Sequence, residues 1–145
     1  MTTTEHRAPR LSGALRRWTM VLGWGALIQG GWAYFWPRSF YEDFPVDGAA
    51  WVSTLGPFND HLIQDVGAAL IGMGAAALVA AVRGDVSAIR AVASGFVLFG
   101  VAHLGFHLGE LDHFSPAAAT TQVATLVALV LLPAALVSMT GRWSR

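Results

Sequence analysis

The stretch FNDHLIQDVGAALIGMGAAALVAAV, residues 58–82, sets His61 and Asp65 directly ahead of a run that meets no further charge until Arg83. Crossing a bilayer takes about 20 mostly apolar residues, each adding ~1.5 Å along the helix, and 61–82 meets that length. Working outward, three more segments meet it: 18–36, 91–109 and 117–140. The connections 83–90 and 110–116 are short, so the last three segments are expected to run as antiparallel neighbours. The predicted fold is all-α: one integral membrane domain, a four-helix bundle with a single long loop over 37–60. Gly105 and Gly109 have the small-xxx-small spacing that admits a neighbouring helix, and Gly23, Gly30, Gly72 and Gly74 offer further points of close approach.

Composition supports a membrane setting. The 145-residue chain is 54% hydrophobic and 12% charged, too little charge for an ordinary soluble surface. It has no cysteine, which removes disulfides, thiolate zinc sites, iron–sulfur clusters and thiol nucleophiles together. Any metal must then be held by nitrogen and oxygen. All nine basic residues are arginine, and they form no patch that would argue for nucleic acid. The partner implied by composition is the lipid bilayer, with a homo-oligomer or a membrane protein as a further possibility.

The arginines also set an expected orientation. Arg7, Arg10, Arg16 and Arg17 precede the first span, Arg83 and Arg90 flank the second connection, and Arg142 and Arg145 follow the last span. The positive-inside rule then places both termini in the cytoplasm of a multi-pass cell-membrane protein. The opposite, extracytoplasmic face carries Glu42, Asp43, Asp47, Asp60, Asp65, Glu110 and Asp112 against Arg38 alone, together with four of the five histidines. Arg16-Arg17 ahead of an apolar run resembles a signal peptide. That run is long, contains Trp24, Trp32, Tyr34 and Trp36, and lacks a small-residue cleavage site, so it reads as a retained span.

The long loop carries Phe40, Tyr41, Phe44, Trp51 and Phe58 among acidic residues, a composition suited to the membrane interface. Asp47 is positioned to cap a short helix through Trp51. The segment is either a simple surface loop or a lid over a site.

His61 and Asp65, four apart, share one face of their helix, and His103 and His107 share one face of the next. Antiparallel packing would bring both pairs to the extracytoplasmic half of the bundle. Imidazole and carboxylate suit copper, zinc or iron, and two such pairs on facing helices can converge on an ion. The expected metal ligands are therefore His61, Asp65, His103 and His107. Asp60, Glu110, His113, Gln29 and Thr125 are further ligands or supports, in a layer that also includes Thr121 and Gln122. The competing reading is a hydrogen-bonded Asp65–His pair that fixes packing without metal. A haem held by His61 with His103 or His107 is disfavoured by the carboxylate beside His61. A proton path is disfavoured by the apolar inner segments 78–81 and 91–93.

FPVDGAAWVSTLGPFNDHLIQDVGAAL (44–70) and HLGFHLGELDHF (103–114) together resemble small four-span membrane proteins of actinobacterial type and are similar to DoxX-like proteins. That resemblance implies a four-helix bundle and, by analogy of fold, an oxidoreductase-associated membrane subunit. Two function classes follow. One is a membrane metalloenzyme or redox protein with its site in the extracytoplasmic half. The other is a non-catalytic membrane subunit whose polar cluster sets helix register and whose acidic face meets a partner. A small transporter would need a polar route through the apolar inner half.

Overall fold

The computed structural model describes residues 12–141, and these form an all-helical chain. Four long helices, α1 (Gly13–Phe35), α3 (Asp60–Arg83), α4 (Val86–Leu108) and α5 (Pro116–Gly141), are joined by a short α2 (Pro37–Asp43) and two single 3-10 turns. Arg7, Arg10, Arg142 and Arg145, used above for orientation, lie outside the described residues.

Local signals fix the helix ends. Ser12 caps α1 by accepting from the Leu15 amide, and Asn59 caps α3 by accepting from Leu62. Gly84, at φ 71°, closes α3 in the left-handed conformation that glycine tolerates. Asp85 follows at once and accepts from the amides of Ser87 and Ala88. The turn between α3 and α4 is thus only Gly84-Asp85, and α4 starts five residues before the expected 91. Asp47 caps nothing. The short helix lies upstream at Pro37–Asp43, where proline occupies the first turn without sacrificing a needed amide.

Among the described residues three helices, not the expected four, are long and apolar enough to cross a membrane: α3, α4 and α5. The 23-residue α1 is comparable in length, but Arg16, Arg17 and Gln29 lie within it and its many glycines and tryptophans add little hydropathy. The outer faces of all four long helices are nonetheless apolar, with Trp24, Ile28, Val79, Leu98, Val101 and Leu131 each more than half exposed.

The tightest packing joins α1 to α3. A Cβ on Gly30 would stand 2.7 Å from the Gly67 carbonyl oxygen, and one on Gly74 would stand 2.7 Å from that of Gly23. Gly23 therefore meets Gly74, Gly30 meets Gly67, and the two helices run antiparallel. The equal seven-residue spacing on both helices returns each glycine to the same face after about two turns. Gly67 belongs in this seam although the small-residue pattern did not single it out. Gly72 and Gly105 face open space, and Gly109 ends α4, so the expected 105–109 contact does not form. α5 packs chiefly on α4.

The main core lies towards the inner end, defined as the end holding the α3–α4 turn. Leu15, Leu22 and Ala26 from α1, Ala77 and Ala80 from α3, Ile89, Ala93 and Phe96 from α4, and Leu136 from α5 meet there. At the outer end a second, smaller core gathers Ala33, Phe40 and Ile63, with Trp32, Tyr41, Phe44 and Phe58 around them. Phe40 stacks edge-on to Trp32 and tilts over Phe44, whose ring meets Trp51. The aromatic loop is thus anchored as part of the α1–α3 packing rather than suspended as a free cover.

Candidate functional site

His61 and Asp65 sit in the first two turns of α3, which begins at Asp60. His61 Nε2 is 3.3 Å from Asp65 Oδ2, so the expected pair forms. Its side chains are 89% and 64% exposed. The reason lies in the helix phase. Ile63, Gly67, Leu70, Gly74 and Ala77 make the buried stripe of α3, and His61 and Asp65 each lie two residues, about 200°, from Ile63. Asp60 is equally exposed and accepts from Gln64 Nε2 at 3.0 Å.

The α4 pair lies differently. Ile89, Ala93, Phe96 and Gly100 define the buried stripe of α4, and the same period carries it to His107. His103 stacks on Phe99 at 5.4 Å between centroids and meets His107 edge-on at 4.6 Å, so a ladder of three rings runs along one helix face. His107 is buried, and Gln122, on the buried stripe of α5, is 1% exposed. The Gln122 amide lies beside the His107 ring across the α4–α5 contact. His107 Nδ1, Gln122 Nε2 and Gln122 Oε1 are nevertheless all shut off from solvent without a hydrogen-bond partner. An unpaired polar atom in an apolar interior costs about 1–3 kcal/mol.

The outer turn adds a carboxylate. Glu110 is close enough to His107 to interact with it electrostatically, and its Oε2 is 3.3 Å from His113 Nδ1. Thr121 and Thr125 donate to the carbonyls of Ala117 and Thr121 in their own helix, which commits both hydroxyls to backbone. Gln29 lies on α1, half-buried.

The expected convergence of His61 and Asp65 with His103 and His107 does not appear: among the described residues no three His, Asp or Glu side chains are grouped closely enough to hold a metal ion. The compact arrangement is instead two imidazoles and an amide, His103, His107 and Gln122. Gln122 was visible as a polar residue in an apolar run, and the α5 stripe through Leu126, Pro133, Leu136 and Thr140 points it inward. Neutral imidazole nitrogens and an amide oxygen are acceptable donors to zinc, copper or ferrous iron. The same groups can also simply pair with each other.

Compared with protein-family models, curated proteins and solved structures, the chain matches none.

Proposed function

We propose that this chain is a multi-pass integral membrane protein that holds a divalent transition metal ion between α4 and α5, with His103, His107 and Gln122 as donors and Glu110 in support. The observation that carries the reading is the set of buried, unpartnered polar atoms on His107 and Gln122 beside a second imidazole. A bound ion would engage the lone pairs of His107 Nδ1 and Gln122 Oε1 and offset the cost of burying them, whereas the Gln122 Nε2 group, a hydrogen-bond donor, gains nothing from a cation. Three donors leave at least one coordination position for water or substrate, the arrangement that catalytic and redox sites use and closed structural sites do not. His61 and Asp65 are left out of this centre, because their side chains are largely exposed.

In this reading α1 crosses the membrane as a fourth span. It lies against α3 along two glycine contacts and presents Val21, Trp24 and Ile28 outward, so it shares the depth and the surroundings of an apolar neighbour. By the positive-inside rule the end bearing Arg16, Arg17, Arg83 and Arg90 faces the cytoplasm and the His103–His107 end faces outward.

Reconstitution of detergent-purified protein with zinc, copper or ferrous iron, followed by elemental analysis, tests the reading. One ion per chain is expected in the parent, and H103A and H107A should each lower retention by tenfold or more. Retention should also fall as pH is lowered, since protons compete for the imidazole lone pairs. A parent that folds and stays metal-free with all three ions refutes it. The second reading, a non-catalytic subunit in which His107 and Gln122 clamp α4 to α5, is favoured by their adjacency. It predicts a metal-free parent destabilised by H107A.

A further inference from the structure

Among the described residues, the inner end of the molecule carries charge without internal compensation. Arg16 and Arg17 near the start of α1 and Arg83 at the end of α3 are all exposed, and among the described residues none of them forms an ion pair. The antiparallel glycine seam brings these helix ends together. Asp85 is the carboxylate at this end among the described residues, and its Oδ1 is already committed to two amides of α4. Three guanidinium groups therefore face outward at the rim of an otherwise apolar bundle.

Beside them, Ala14, Arg17, Trp18 and Val21 line one exposed face of α1. Along the helix towards mid-membrane, the exposed side chains follow a definite order: the Arg17 cation, the Trp18 indole, aliphatic Val21, then Trp24 and Ile28. A phospholipid presents the matching order, from phosphate through the glycerol esters to the acyl chain. Guanidinium is a planar fork suited to phosphate oxygens, and indole favours the ester level of the interface.

We infer that this face of α1 is a binding surface for an anionic phospholipid, with Arg17 on the headgroup phosphate, Trp18 at the ester level and Val21 against the first acyl carbons. The surplus of arginine selects an anionic over a zwitterionic lipid, whose own ammonium group would be repelled by Arg16 and Arg83. The inference rests on the membrane-crossing part of the proposed function and is independent of any metal.

The test uses the full-length chain in nanodiscs of equal parts phosphatidylglycerol and phosphatidylcholine, released into native mass spectrometry so that retained lipids are counted. Phosphatidylglycerol should be enriched among them. R17Q should lower that enrichment about fivefold, the contribution of one basic residue at an anionic surface. R17K should keep more of it than R17Q, and R38Q at the opposite end should leave it unchanged. Equal retention of the two lipids by the parent would overturn the inference, as would an R17Q variant that matches the parent or an R38Q variant that loses as much. Because metal-free protein serves equally well, failure here leaves the α4–α5 reading standing, and failure there leaves this one standing.

Discussion

The two helix pairs hold together by different means. α1 and α3 meet backbone to backbone, with Gly23 on Gly74 and Gly30 on Gly67, and the outer part of their contact is sealed by an aromatic cluster around Phe40. α4 and α5 come close at Gly100, where an added Cβ would stand 3.1 Å from the Val130 side chain, and otherwise meet through side chains that include polar groups. At the inner end Arg90 Nε donates to Thr140 Oγ1 at 2.9 Å, and Thr140 donates in turn to the Val137 carbonyl. At the outer end His107 and Gln122 adjoin, with His107 Nδ1 and both amide atoms of Gln122 buried outside hydrogen-bond geometry. In a membrane the lipid competes equally for apolar side chains, so helices associate through close van der Waals packing and polar contacts. The first pair uses the former and reads as scaffold. The second keeps polar groups where they cost stability.

The comparison breaks most visibly at the scaffold. A Cβ at Gly67 would lie 2.7 Å from the Tyr34 backbone nitrogen, an atom that cannot move without displacing α1. Gly67→Val should cost about 3 kcal/mol or more, read as a large fall in thermal midpoint in detergent. Gly72→Val, where nothing lies within 4 Å, should leave the midpoint nearly unchanged. Equal effects at the two positions would remove the seam from the account.

A smaller effect is expected between α4 and α5. Gln122→Leu removes two unpartnered polar atoms from an apolar setting, so the metal-free protein should be unchanged or more stable, while metal retention falls about tenfold. A loss of stability in the metal-free protein would instead support the clamp. The smallest effect belongs to the exposed pair. His61→Ala and Asp65→Ala should each change stability by no more than about 0.5 kcal/mol and leave metal retention unaltered, because an exposed polar pair contributes little. Thermal scans and elemental analysis of the same preparations report both quantities.

Much of this contrast can be read in the chain once helix phase is followed. The apolar runs 61–82, 91–109 and 117–140 identify α3, α4 and α5 to within a few residues, since long uninterrupted hydropathy has few other uses. The first helix was also legible, but its hydropathy is weakened by arginine, glycine and tryptophan. The seven-residue α2 has no periodic signal of its own and depends on Trp32 and Ile63 for its packing. The i,i+4 spacing of His61 and Asp65 correctly places them on one face, but spacing alone does not say which way that face turns. The stripe through Ile63, Gly67 and Leu70 does, and it turns them out. The stripe through Ile89, Ala93 and Phe96 turns His107 in, and the corresponding stripe on α5 brings Gln122 to meet it. What the chain does not encode locally is which helices pair. That choice was made by the matched seven-residue spacings of Gly23/Gly30 and Gly67/Gly74, which lie far apart in the chain, and only a partner reveals a seam.

In the proposed function the metal centre belongs to α4 and α5 alone. Histidine-selective nitrogen NMR of the full-length protein in detergent micelles, recorded before and after addition of zinc, tests it most directly, since zinc is diamagnetic and alanine variants can assign each ring. The account predicts large shifts for the ring nitrogens of His103 and His107 and none for His61. Coordinated shifts of His61 together with the α4 pair, or an unchanged spectrum at excess zinc, would contradict it.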